Sequence, residues 1–268
     1  DAHQGEYIAS RAQRLHWLTG FAGSAGTALM LNGQTILFVD GRYTLQAEGE
    51  VDGRLFERRH ITSEPATGWI ADSAAEKTRI GYDPWLHTPA EVGRLVDACK
   101  RAGARLVACD SNPIDAVWAD QPPPPVAPVV PHDDIFAGLD SGEKRRQIGD
   151  AIGDGRADAA FLSAPDSIAW LLNLRGGDIG YAPFFSAFAL VHADARVDLF
   201  IDRRKLAPDV RQHLGPDVQV HEVGELGNAI DDLGAAGKSL RLDKTTAPDW
   251  VAQRSKSAGL TMVAGDDP

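Results

Sequence analysis

The sequence predicts an α/β protein of two domains, and three observations lead there. Short apolar runs of strand length alternate with helix-compatible stretches along the whole chain. A proline-rich run, Gln121-Pro122-Pro123-Pro124-Pro125-Val126-Ala127-Pro128, interrupts that alternation. The halves on either side share a similar order of strands and short helices, without a fixed-period repeat.

The first domain is expected over residues 1–120. Thr27-Ala28-Leu29-Met30-Leu31 and Thr35-Ile36-Leu37-Phe38-Val39 read as strands joined by Asn32-Gly33, the strongest short hairpin signal in the chain. After Asp40-Gly41 the pattern turns helical through Tyr43, Leu45, Ala47 and Glu48. Arg79-Ile80-Gly81-Tyr82 reads as a strand. Thr88, Pro89 and Glu91 then form an N-cap, a first-turn proline and a capping-box acid. The helix they open carries Val92, Leu95, Val96 and Cys99 on one stripe and stops near Gly103, and Arg105 to Cys109 supplies another strand.

Proline lacks the amide donor and fixes its own backbone, so the proline run suits neither a helix nor an inner strand. A polyproline II linker is expected over 121–139, leaving residues 140–268 as the second domain. There Ser141 is the expected N-cap of a helix through Lys144, Arg145, Ile148 and Ile152. Asp158 to Leu162 reads as a strand and Asp166 to Leu172 as a short helix. Phe184 to Val191 and Val197 to Ile201 are strands turned by Ala193-Asp194-Ala195-Arg196. A helix through Val210 and Leu214, a strand at Val218 to Val220, a helix over Leu226 to Leu233 and a strand at Ser239 to Leu242 follow. Pro248 opens a last helix through Trp250 and Val251.

Composition bounds the function. With 43% hydrophobic and 24% charged residues the chain is an ordinary soluble globular protein. Its net charge of −11 opposes a nucleic-acid groove, and Arg58-Arg59 and Arg203-Arg204-Lys205 read as solvated faces. No signal-peptide pattern and no apolar run near the length of a membrane span occurs. Cys99 and Cys109 form no paired framework and read as small buried side chains. A cytoplasmic location is expected.

No catalytic constellation is legible. The histidines are scattered without an HxH or HExxH pair, and His132-Asp133-Asp134 beside the linker reads as a solvated loop. Gly23-Ser24-Ala25-Gly26 lacks the spacing of a nucleophile elbow. The run from Gly20 to Gly26 lacks the P-loop lysine and leads into a strand, so its glycines serve tight turns and close packing. No catalytic residue and no metal ligand is therefore assigned. Asp40-Gly41-Arg42-Tyr43 offers two readings: a buried Asp40–Arg42 ion pair shaping the strand-to-helix turn, or a guanidinium beside an aromatic ring that forks onto a peptide carboxylate. Trp17, Trp118, Trp170 and Trp250 read as core or interface anchors.

Trp17-Leu18-Thr19-Gly20-Phe21-Ala22-Gly23-Ser24-Ala25-Gly26-Thr27-Ala28 followed by Val39-Asp40-Gly41-Arg42-Tyr43-Thr44-Leu45-Gln46-Ala47 resembles the first domain of aminopeptidase P, the Xaa-Pro aminopeptidase family. The segment Asp1 to Ala9, Gly81-Tyr82-Asp83-Pro84, Asn112 to Asp120, and Asp166 through Asp178 to Ser186 resemble further blocks of that family, in its order. The resemblance implies two creatinase N-terminal-like domains, each a mixed β-sheet flanked by helices. It also implies an additional strand and helix ahead of the Asp1 region, and a connector at Gly265-Asp266-Asp267-Pro268 leading to a C-terminal catalytic domain. In that family this third domain holds two divalent metals, usually manganese, with two aspartates, a histidine and two glutamates that have no counterpart here. The expected protein is thus the non-catalytic front portion of a metal-dependent hydrolase that removes the residue before a penultimate proline. Arg42 and Tyr43 are its substrate-proximal candidates, and Arg175 and Asp178 its candidates for contact with the catalytic domain. A peptide substrate and a homodimer are implied, with neither nucleic acid nor membrane as a partner. The alternative is a free-standing dimerisation or interaction module without enzyme activity.

Overall fold

A computed structural model describes every residue from Asp1 to Pro268. The chain divides into two compact units: Ser10–Pro123, the first unit, and Pro124–Pro268 together with Asp1–Ala9, the second.

In the first unit, α1 (Arg14–Thr19) precedes the hairpin of β1 (Gly26–Leu31) and β2 (Gln34–Val39). Asn32 and Gly33 both take positive φ, the backbone that a two-residue hairpin turn requires. Next come α2 (Thr44–Glu50), β3 (Glu57–His60), α3 (Ala66–Ser73), β4 (Arg79–Tyr82), α4 (Pro89–Arg101) and β5 (Arg105–Ala108). The main sheet has the order β1-β2-β3, and β4 pairs with β5 in a separate parallel pair. Alternation along β2 places Ile36 and Phe38 against α3 and α4, with Trp69, Ile70 and Cys99. Leu37 and Val39 face the other way, onto Phe21, Ala47, Val51 and Phe56. Because β2 is buried on both faces, it reads as a continuous apolar run rather than an alternating one. The expected capping box is present: Thr88 Oγ1 accepts from the Glu91 amide at 3.3 Å, and the Thr88 amide donates to Glu91 Oε2 at 2.9 Å. Arg14 forks onto Asp115 with two 2.7 Å bonds, and Trp17 stacks on Trp118 at 5.5 Å, tying α1 to the segment before the prolines.

The second unit contains β6 (Val130–Pro131), α5 (Asp134–Ala137), α6 (Ser141–Asp154), β7 (Ala159–Leu162), α7 (Pro165–Leu171) and β8 (Leu174–Arg175). It continues with β9 (Phe188–His192), β10 (Val197–Phe200), α8 (Pro208–Leu214), β11 (Val218–His221), α9 (Leu226–Ala235), β12 (Ser239–Leu242), α10 (Asp249–Ser257) and β13 (Thr261–Ala264). Its six-stranded sheet runs β11-β10-β9-β7-β12-β13 and is mixed: β9 is antiparallel to both neighbours, whereas the outer pairings are parallel. Ala160, Leu162, Ala189, Val191, Val197 and Leu199 share one core with Ile152, Ile168, Leu171 and Val210 from the helices. Residues of opposite parity, among them Phe161, Phe188 and Phe200, are buried on the other face, where Phe161 stacks on Phe188 at 5.8 Å.

Several expectations are redrawn. Residues 124–139 do not behave as a free linker: Val129 is 1% exposed in the second unit's core, and β6 pairs with β8. The first nine residues belong to the second unit, with His3 stacked on Phe188 at 4.6 Å and bonded to the Ser163 carbonyl at 2.9 Å. The N-cap of α6 is Asp140, which accepts from the Glu143 amide; Ser141 Oγ instead donates to the Leu171 carbonyl. The expected strand from Phe184 begins only at Phe188, because Pro183, Phe184 and Ser186 bond instead to Gly176 and Asp178.

Candidate functional site

The candidate site of the first unit lies where β2 ends and the chain turns into α2. Asp40 caps this turn: its Oδ1 accepts from the Arg42 amide and from Arg42 Nε, both at 2.9 Å. Those two donors, the amide foremost, hold the Asp40 carboxyl below its ordinary pKa. The ion pair is not the buried one expected from sequence; the Arg42 side chain is 66% exposed. A Cβ at position 41 would lie 2.8 Å from His60 Nε2, so glycine is what lets the imidazole at the end of β3 close on the turn. His60 Nδ1 accepts from the amides of Thr62 and Ser63 at 3.2 and 3.3 Å, which places its proton on Nε2, the nitrogen nearest Gly41.

The Gly-rich loop is stitched to the same turn. Ser24 Oγ and Tyr43 Oη are 2.8 Å apart, Phe21 meets Tyr43 edge-on at 5.7 Å, and the Ala22 amide donates to Glu50 Oε2 at 2.8 Å. A Cβ on Gly23 would sit 2.2 Å from Phe21 Cζ, so the loop crosses the Phe21 ring only with glycine there. The Arg42 guanidinium lies 5.3 Å from the Tyr43 ring centroid. The group therefore gathers a guanidinium, a phenol, a hydroxyl and an imidazole at the C-terminal ends of the parallel strands β2 and β3, where α/β sheets commonly bind ligands. Ser24 pairs with a phenol and not with a base, so the chemistry offered is recognition of carboxylate or carbonyl oxygen rather than nucleophilic attack.

In the second unit the structure separates the two candidates. Arg175 is half-buried and its Nη1 donates to the carbonyls of Ala169 and Leu174, at 3.3 and 2.8 Å, around the end of α7. The Asp178 side chain is wholly buried within its own unit, where it meets Lys205 Nζ at 2.5 Å and accepts from the amides of Ala127 and Ser186. Asp178 thus pins residues 176–186 and the proline-rich segment to the sheet, and can act on a partner only through the loop it holds.

Sequence reasoning missed the hub beside them. Asn173, 1% exposed and at φ 49°, accepts from Lys144 Nζ at 2.6 Å and donates to Asp134 Oδ1 and the Leu139 carbonyl. Lys144 also donates to the Trp170 carbonyl and lies 4.6 Å from the Trp170 ring centroid. Burial, then repulsion from Arg175, lowers the Lys144 pKa. A lysine on a helix carries no sequence signal of burial, whereas an asparagine just past a helix end is a signal for left-handed backbone.

No group of three or more His, Cys, Asp and Glu side chains is placed to hold a metal ion. In the acid–imidazole cluster His192–Asp198–His221, both Asp198 oxygens are engaged by imidazole Nε2 atoms, at 2.7 and 2.9 Å. These residues do not fit a dinuclear metal centre, which needs several uncommitted oxygen ligands. Cys99 is buried with its thiol pKa raised by desolvation, and no helix is long and apolar enough to cross a membrane.

Two α/β units, with a mixed six-stranded sheet in the second and helices flanking the sheets of both, define the class of fold. Residues 6–117 and residues 120–268 each match a creatinase/prolidase N-terminal domain profile, and the chain belongs to that family. It is 35% identical over its whole length to a probable Xaa-Pro aminopeptidase P of Aspergillus niger, of which it covers 44%. It is 34% identical over 96% of its length to aminopeptidase P2 of Arabidopsis thaliana, covering 37% of that protein. The crystal structure of X-prolyl aminopeptidase from Caenorhabditis elegans, a cytosolic enzyme with a di-nuclear active site, superposes with a TM-score of 0.91 at 27% identity. That match takes in 99% of this chain and 45% of the nematode one. The chain is therefore homologous to the N-terminal portion of Xaa-Pro aminopeptidases P and spans less than half the length of these relatives.

Proposed function

We propose that these two domains serve a metal-dependent Xaa-Pro aminopeptidase that removes the residue ahead of a penultimate proline. The observation that carries this reading is the match to aminopeptidases P along the whole of this chain, over only 44% of the Aspergillus niger relative. The hydrolysis itself belongs to a C-terminal catalytic domain holding two divalent metals, manganese in this reading. When bound there, the metals supply an activated hydroxide and polarise the scissile carbonyl. The domains described here narrow access to small peptides, position the substrate terminus and contribute contacts of a cytoplasmic homodimer.

Arg42 and Tyr43 are the substrate-proximal residues in this reading. Support comes from the exposure of the Arg42 guanidinium, its place at the strand ends and the hydrogen-bonded loop that fixes Tyr43. Loss of a charge-assisted hydrogen bond costs about 1.5–3 kcal/mol, or roughly tenfold to a hundredfold in kcat/KM. Arg42→Ala in the longer protein is expected to lower kcat/KM for an Xaa-Pro tripeptide by that factor, with an unchanged melting temperature. Unchanged kinetics would assign Arg42 to the turn alone.

A further inference from the structure

The second unit has a cavity of about 330 Å³ beside α7. Ile148, Leu162 and Leu171 form apolar lining, and Trp170 contributes an aromatic wall. Asp166, Ser167 and Asp267 supply the polar lining, and Pro268, the last residue of this sequence, completes it. The segment ending there is fastened to the unit: the Asp267 amide donates to Asp243 Oδ2 at 3.2 Å, and Arg241 Nε donates to the Asp266 carbonyl at 3.0 Å.

Trp170 is presented rather than buried. Its side chain belongs to a residue 46% exposed, yet the ring is fixed against the buried Lys144 ammonium, itself held by Asn173. A large aromatic ring immobilised before any partner arrives has the properties of an interface anchor, since little side-chain entropy remains to be lost on docking. Two carboxylates over an apolar, aromatic lining are complementary to a long basic side chain, with its methylene stem on the lining and its charge between the acids. Burial raises the Asp267 pKa, a hydrogen bond from Ser167 opposes it, and the charges of Asp166 and Asp243 add to it against the weaker pull of Arg241, so an arriving cation would offset the repulsion among the acids.

Resting on the proposed function above, we infer that this cavity is a socket for an arginine or lysine side chain of the C-terminal catalytic domain, with Trp170 as the anchor of that docking. The relatives have more than half of their length outside the matched region, and any chain following Pro268 leaves from the wall of this cavity. A tether that starts at the wall of the socket raises the effective concentration of the following domain there.

The test is residue-resolved hydroxyl-radical footprinting of the 268-residue chain and of the full natural gene product, with the fully exposed Tyr181 as internal reference. Trp170 oxidation is expected to fall about tenfold in the longer protein, as at a solvent-excluded anchor. Asp166→Asn together with Asp267→Asn is expected to restore it, with the circular dichroism spectrum unchanged. Equal Trp170 oxidation in both proteins would overturn the inference, as would a gene product that ends at Pro268. Protection that survives neutralisation of both acids would overturn the basic occupant. Xaa-Pro hydrolysis measured on the same samples separates the two readings: protection without hydrolysis keeps the socket and removes the peptidase reading, and hydrolysis without protection does the reverse.

Discussion

The Lys205–Asp178 pair gives the largest single-residue effect that the structure predicts. The two side chains are 4% and 0% exposed, with Nζ and Oδ2 at 2.5 Å. Lys205 also donates to the Ser186 carbonyl at 3.1 Å, and Asp178 accepts from the amides of Ala127 and Ser186. Lys205→Met keeps the volume of the stem and removes the charge, leaving the Asp178 carboxylate buried with two backbone donors and no counter-ion. Breaking a buried pair from one side costs about 3–5 kcal/mol, most of it the stranded charge. For a unit of this size each kcal/mol lowers the melting temperature by about 2–4 °C, so a drop of roughly 6–20 °C is expected. Arg204→Met is the internal control. Its partner Asp202 lies 2.6 Å away, but Arg204 is 71% exposed, and solvent-exposed pairs contribute little. The assay is urea and thermal unfolding followed by circular dichroism. A Lys205→Met stability within about 1 kcal/mol of wild type, or indistinguishable from Arg204→Met, would refute the reasoning.

Three other perturbations have defined outcomes. Gly23→Ala places a methyl 2.2 Å from Phe21 Cζ, so the first unit should lose ~1–3 kcal/mol of stability in urea unfolding as Phe21 is displaced. Thr88→Ala removes the capping-box acceptor and should cost ~1 kcal/mol, with faster amide exchange at Ala90 and Glu91 in the first turn of α4. Burial lowers the His3 pKa from 6.5 to about 4, so the unfolded chain takes up the proton first as pH falls. The stabilising contribution is complete above pH 6.5 and is lost towards pH 4, with a ceiling of ~3 kcal/mol. His3→Phe, which keeps a ring on Phe188, should flatten that part of the stability–pH curve.

What the sequence disclosed follows from the physics of each element. The β1–β2 hairpin and the start of α4 were legible because Asn32-Gly33 and Thr88-Pro89-Glu91 are local signals that act within a few residues. β3 was illegible: Glu57-Arg58-Arg59-His60 has no apolar alternation and is a strand only through its parallel pairing with β2. β13, Thr261–Ala264, gave too short a signal and is fixed by pairing with β12. The proline-rich stretch was read correctly as neither helix nor inner strand, but its docking through Val129 and Ala127 depends on Asp178 and Lys205, far along the chain. At the candidate site, Arg42 and Tyr43 were visible as a guanidinium beside a ring. Ser24, Phe21 and His60 join them only through tertiary contacts. Lys144 and Asn173 escaped notice because burial of a polar hub is a property of packing, not of local sequence.

The central claim is a division of labour between these domains and a metal-bearing catalytic one. The most direct measurement is hydrolysis of a tripeptide with proline in the second position, with manganese supplied, by the full gene product and by the 268-residue chain side by side. The account predicts release of the first residue by the longer protein, abolished by a chelator, and none by the 268-residue chain. Cleavage by the shorter chain that copurifies with it, or an inactive full gene product, would contradict the account.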